Sequence, residues 1–195
     1  MQKIMFDTKF GLEQAVLEGR KTMTRRLIGD KVLDEYYEYH DLASSLPVST
    51  MSDSDFFLQY ARYRVGETVA IAQSYSRIAF DLKGVTGRSF RMKYSDTMGW
   101  NNKMYVKAEE MVHHIKITDI KIERLQDISE EDCLKEGIKN YILGYGFDGW
   151  ANKKGELKHC DTAKDAFAYL INKISGKGTW ESNPWVFCYT FELIK

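Results

Sequence analysis

Apolar positions along this chain fall into two rhythms, helical spacing and strict alternation, and the changes between them mark the elements. Met1 to Phe6 reads as a short lead-in strand. Leu12, Ala15, Val16 and Gly19 then follow helical spacing, with Asp7 or Thr8 available as a cap and Gly19 suited to a left-handed end. Val32, Leu33, Tyr36, Tyr37 and His40 predict a second helix, broken by Ser44, Ser45 and Pro47. A further short helix follows Asp53 or Ser54 through Phe56, Phe57 and Tyr60, and its aromatic residues are expected to pack on the core. Val65-Gly66-Glu67 reads as a turn into a strand in which Val69 and Ile71 alternate with Ala70 and Ala72, followed by Gln73, Ser74 and Tyr75. Gly84, Gly87 and Gly99 divide residues 76–110 into loops and short strands, one of which carries Arg88, Arg91 and Lys93 on a single face.

Val112 to Leu125 is the clearest long strand. Ile115 and Ile117 share one parity while Ile120 and Ile122 share the other, so one core face requires a bulge or sharp bend near Thr118-Asp119. Such bends turn the corners of small barrels. His113 and His114 precede it and point to opposite faces of a strand, which argues against joint metal binding. Ser129-Glu130-Glu131-Asp132 is a capping box, and Cys133, Leu134 and Gly137 complete a short helix. Residues 139–160 are rich in glycine and polar residues and read as an excursion. Thr162 and Asp165 cap a helix carrying Ala163, Ala166, Phe167, Leu170, Ile171 and Ile174, ended by Gly176. The closing strand sets Trp185, Phe187, Tyr189, Phe191 and Leu193 on one face and Val186, Cys188, Thr190 and Glu192 on the other.

Composition narrows the functional classes. At 195 residues the chain suffices for one domain with a core, and its 44 % apolar content is that of a globular protein. Formal charge balances to zero, so any nucleic-acid contact must use a local patch. Three widely spaced cysteines, Cys133, Cys160 and Cys188, argue against a disulfide framework and fit a reducing cytoplasm. His159-Cys160 is the only adjacent pair of soft ligands and lacks a CxxC or HxxxH partner motif, so no metal site is expected. No apolar run approaches a membrane span, no signal-peptide core is present, and Gly176-Lys177-Gly178 follows a helix instead of opening one, unlike a P-loop. No cofactor is expected.

The stretch with the most chemistry is Gly19-Arg20-Lys21-Thr22-Met23-Thr24-Arg25-Arg26, which holds four cations and two threonine hydroxyls just after a helix end. In a regular strand Lys21 and Thr24 point to opposite faces, so a joint role predicts irregular backbone between them. Otherwise the stretch is a solvated basic turn. Glu136 falls in the last turn of its helix, where the negative end of the dipole disfavours a carboxylate, a setting suited to a proton donor; the plain alternative is an exposed glutamate.

Three stretches together resemble one family. Residues 19–26 resemble the opening motif of ASCH-domain proteins, relatives of the PUA RNA-binding domain. Ile122 to Asp132 with Glu136-Gly137-Ile138 resembles the strand-helix segment of its larger, phage-related members. Gly176-Lys177-Gly178-Thr179-Trp180 with Asn183-Pro184-Trp185-Val186-Phe187 resembles their closing strand. The resemblance covers about a third of the chain and implies an α+β, PUA-like small mixed β-barrel with flanking helices, a single domain carrying insertions near 30–60, 76–110 and 139–160. Compact members include amidohydrolases that remove the acetyl group of N4-acetylcytidine with a lysine, a threonine and a glutamate, which fall on Lys21, Thr24 and Glu136. The resemblance then implies that Lys21 takes the proton of Thr24, that Thr24 attacks the amide carbonyl, and that Glu136 protonates the leaving nitrogen. Arg20, Arg25 and Arg26 would lower the lysine pKa and hold a phosphate or oxyanion. The expected ligand is a modified nucleoside or RNA base. The alternative is a non-catalytic RNA-binding module in which the same arginines contact phosphates and Trp180 stacks on a base; a third possibility is a structural or partner-binding protein of mobile elements.

Overall fold

The computed structural model describes residues 1–44, 51–150 and 158–194. In chain order the elements are β1 (Lys3–Ile4), α1 (Leu12–Leu17), β2 (Met23–Leu27), α2 (Asp30–Ser44), α3 (Asp53–Leu58), β3 (Thr68–Ile71), α4 (Tyr75–Leu82), α5 (Gly84–Tyr94), β4 (His114–Arg124), α6 (Glu130–Lys135), β5 (Lys139–Tyr141), β6 (Gly144–Gly146), α7 (Ala163–Ile174), α8 (Thr179–Ser182) and β7 (Trp185–Ile194). Five strands form one mixed sheet in the order β1-β3-β4-β7-β2, and β5-β6 is a separate hairpin. β7 lies between β4 and β2, antiparallel to both, while β1 pairs parallel with β3.

The bulge expected near Thr118-Asp119 is present. Ile117 pairs with Phe191 and Asp119 with Thr190, leaving Thr118 as the extra residue. One added residue flips the parity, so Ile120 and Ile122, opposite Tyr189 and Phe187, return to the face that Ile115 and Ile117 occupy.

The expected closed barrel is not formed. Closure requires every strand to be paired on both sides, but β1 pairs only with β3 and β2 only with β7. After Ile4 the chain leaves the ladder and enters a turn in which Asp7 Oδ1 accepts from Lys9 N at 2.7 Å and Phe10 N at 3.2 Å. No strand long enough to zip onto β2 remains there. The two edges are instead linked by a side chain, the Arg26 guanidinium donating to the Met5 carbonyl. The fold is α+β with an open five-stranded sheet.

The principal core lies on the face of Ile115, Ile117, Tyr189 and Phe191, where Leu12, Phe57, Phe167 and Leu170 close over it. Phe56 and Phe57 of α3 join this core as expected, with Tyr36 and Tyr39 of α2, and Tyr36 stacks on Phe57 with ring centroids 4.6 Å apart; Tyr60 and Tyr37 remain exposed. The break expected at Ser45 and Pro47 lies outside the described residues. β7 is buried on both faces and not on its aromatic face alone, since Val186 and Cys188 are also covered. The reason is tertiary, because Arg25 of β2 lies opposite Cys188 and brings the end of α6 against that side.

Residues 76–110 are helical where short strands were expected. Ser74 caps α4 by accepting from Arg77 N, and Tyr75, Ile78, Ala79 and Leu82 then follow helical spacing, so Gln73-Ser74-Tyr75 ends the strand. This region forms a second core in which Tyr75, Ile78, Val106 and Met111 pack on Ala70 of β3 and on Ala72 just beyond it. Arg88, Arg91 and Lys93 lie on α5, not on a strand.

Candidate active site at the open edge of the sheet

Gly19, with φ of 74°, ends the α1 segment in the left-handed region as its sequence suggests. Helix α1 itself starts after Gly11, also left-handed, and not after Asp7 or Thr8. The main-chain amides of Arg20 and Lys21 then both donate to Ala15 O, at 2.9 and 3.0 Å, and Thr22 N donates to Lys135 O at 2.9 Å. The regular ladder begins only at Met23. The irregular backbone required for Lys21 and Thr24 to approach one cavity therefore spans Lys21-Thr22.

Helix α6 supplies the acid. Ser129 caps it by accepting from Asp132 N, and Glu136 is its C-terminal cap residue. Gly137 follows with φ of 105°, and a Cβ there would lie 3.2 Å from Leu12 Cδ2 and 3.6 Å from Lys21 Cδ. Glycine at this position both permits the turn and leaves room for the lysine stem.

Lys21, Thr24, Arg25 and Glu136 are all buried, between 2 and 6 % exposed. The Lys21 ammonium donates to Glu136 Oε2 at 2.6 Å and to its main-chain oxygen at 2.7 Å. Arg25 Nη1 donates to Glu136 Oε1 at 3.1 Å, while Arg25 Nε donates to Glu123 Oε1 at 2.7 Å and Nη2 lies 3.5 Å from Asp132 Oδ2. Glu136 is therefore not an exposed glutamate; it is clamped between two cations. Glu123 and Asp132 are site residues that the motif reading did not single out. For Asp132 a signal existed, since it is four residues before Glu136 and shares its helix face.

Burial is the main force on the lysine. It lowers the Lys21 pKa, Glu136 opposes the change, and the Arg26 and Arg25 charges add to it. Burial also lowers Arg26. Burial pulls Arg25 downward too, but Glu136 and Glu123 outweigh it and leave Arg25 raised and firmly charged.

These groups line a cleft of about 360 Å³ along the outer side of β2, closed opposite by Phe167, Leu170 and Ile171 of α7. That size is within the range of small-ligand sites. Thr22 O and Ile28 N bond to β7 at Phe191 N and Trp185 O, so even-numbered residues of this segment turn their main-chain groups inward. By the alternation of an antiparallel ladder, Arg25 and Leu27 then turn N–H and C=O outward, toward the cleft that they line. An edge strand thus adds backbone donors to the charged side chains.

The structure brings Lys21, Thr24, Arg25, Arg26 and Glu136 to this one cleft. Arg20 is not among its lining residues and pairs with Glu18 at 2.7 Å and Asp148 at 3.6 Å. Trp180 is also elsewhere. Its ring meets Phe167 edge-on at 6.2 Å, its amide donates to Asn172, and its carbonyl accepts from Gln126. Cys160 sits in a main-chain bridge to Tyr145, and the described residues contain no cluster of metal-ligating side chains. No described helix is long and apolar enough to cross a membrane.

No family model, curated protein or solved structure matches this chain.

Proposed function

We propose that the cleft binds a modified nucleoside and hydrolyses the N4-acyl amide of a cytidine derivative, as in the ASCH-type amidohydrolases that its motifs resemble. The observation that carries this reading is the contact between Lys21 and Glu136, 115 positions apart in sequence, on the floor of a cleft that Thr24 also lines.

The chemistry follows from one shared proton. Moving it from the Lys21 ammonium to Glu136 across their 2.6 Å hydrogen bond turns an ion pair into an amine base and a carboxylic acid. Burial, which lowers the lysine pKa, favours that exchange. The amine then takes the Thr24 hydroxyl proton as Thr24 Oγ1 bonds to the acyl carbon, and Glu136 gives its proton to the departing exocyclic nitrogen. The outward amides of β2 face the oxyanion. Water then attacks the acyl-threonine, releases the acid and restores the hydroxyl.

The test is acetate release from N4-acetylcytidine. Wild-type protein is expected to turn over, and Lys21→Met and Thr24→Val to lose about 10²-fold or more in kcat while remaining folded by circular dichroism. Absence of turnover by the wild type, or full activity in Thr24→Val, would falsify the hydrolase reading. The RNA-module alternative has lost one support, because Trp180 does not line the cleft.

A further inference from the structure

A second cavity of about 430 Å³ adjoins the first, and the two share Met5, Arg26 and Leu27 as a common wall. Lys3, Arg26 and Arg62 line it together with Tyr60, Tyr63, Phe187 and Tyr189, and it has no acidic lining residue. Lys3 is already committed, its ammonium donating to the carbonyls of Lys103, Met104 and Val106 at 3.1, 2.8 and 2.8 Å. The two arginines are less fully engaged. Arg26 donates to the Met5 carbonyl, and Arg62 lies over the Tyr63 ring with its guanidinium carbon 5.6 Å from the centroid. Among the described residues neither forms an ion pair with a carboxylate.

Arg62 is held at its backbone, where its amide donates to the Tyr189 hydroxyl at 3.1 Å and its carbonyl accepts from Gln2 at 3.0 Å. Burial foremost lowers the proton affinity of Arg26, Tyr63 and Glu136 oppose that change, and the Arg62 charge adds to it by a smaller amount. Two like charges facing one cavity whose lining holds no acidic side chain repel each other there, and a bound anion would be attracted to both.

We propose that this second cavity takes the phosphate of a nucleoside monophosphate whose base enters the Lys21 cleft, with Arg26 and Arg62 as phosphate donors and the aromatic rings as a wall for the sugar. The proposal rests on the nucleoside reading of the first cleft and names its substrate class. A mononucleotide is favoured over a long strand because the chain's formal charge is zero, and two guanidinium groups with no paired carboxylate match a single phosphate.

The test is calorimetric titration of cytidine and cytidine 5′-monophosphate into wild type and Arg62→Gln at low salt. Arg62 is exposed and surrenders no carboxylate partner, so the variant is expected to fold. Wild type should bind the monophosphate about tenfold or more tightly than cytidine, as expected for a charge-assisted contact. Arg62→Gln should erase that preference and leave cytidine affinity unchanged. No binding of the monophosphate, equal binding of the two ligands, or an undiminished preference in Arg62→Gln overturns the proposal. Progressively tighter binding of longer oligocytidylates overturns the mononucleotide assignment in favour of a strand. The ligands are already deacetylated, so a failure here is separate from a failure of N4-acetylcytidine turnover.

Discussion

Glu136 illustrates how one side chain acquires a role from its neighbours. It faces Lys21 on one oxygen and Arg25 on the other, and Arg25 is in turn held by Glu123 and Asp132. The motif made Lys21, Thr24 and Arg25 conspicuous, but the acidic partners of Lys21 and Arg25 come from β4, from α6 and from the cap residue that ends α6. Cys188 is affected by the same neighbourhood. Burial raises the thiols of Cys133 and Cys188 from 9.0 to about 12. A raised folded-state value contributes stability that is fully present below pH 9.0 and lost as pH rises toward about 12, because the unfolded thiols ionise first. Urea midpoints should therefore fall on going above pH 9.0, with a slope of up to roughly 1.4 kcal/mol per pH unit for each thiol. The Cys133→Ala/Cys188→Ala double variant should lose that component of the slope; an unchanged slope would contradict the assignment. Lys21 acts in the opposite direction, its lowered value making stability rise with pH below 10.5, so the difference between variant and wild type is the quantity to read.

At the scale of elements, the alternation of hydrophobic residues was decisive where strands are long. The parity change between Ile117 and Ile120 identified the bulge, and the structure puts the extra residue at Thr118. The capping box at Ser129 and the Thr162-Asp165 pair were equally legible, since Asp132 N and Asp165 N donate to the Ser129 and Thr162 hydroxyls. The 76–110 segment was misread because its glycines suggested loops, although Gly84 and Gly87 lie within α5 and Gly99 packs against Tyr75. Gly137 is the element-level weak point of the site. Its φ of 105° strains any other residue, and an added Cβ would approach Leu12 and the Lys21 stem. Gly137→Ala is expected to lower stability by about 1–3 kcal/mol and to reduce kcat by shifting Lys21 relative to Glu136. Denaturation together with acetate release measures both, and a variant as stable and active as wild type would show that the turn tolerates a side chain.

For the whole molecule, the decisive feature is a sheet that stops short of closing. One edge, β2, lines both cavities, and at the other edge Lys3 of β1 lines the second cavity while Met5, just past β1, lines both. A chain lacking residues 1–6 should lose Ile4 and Phe6 from the core as well as the wall of both cavities. Burial of two large apolar side chains corresponds to about 3–6 kcal/mol. The shortened chain should therefore show a matching drop in unfolding free energy and no binding of cytidine 5′-monophosphate. Retained stability would mean that the N-terminal segment contributes little to the core. By itself the sequence determined the periodic elements, their caps, the bulge and the local basic motif, because those depend on side chains within a few residues of one another. Only the tertiary structure decided that the sheet stays open, that Glu136 meets Lys21, and that Trp180 and Arg20 lie away from the cleft. Those outcomes depend on which edges find partners and which buried charges must be matched across long stretches of chain, and such distances leave no periodic trace in the order of residues.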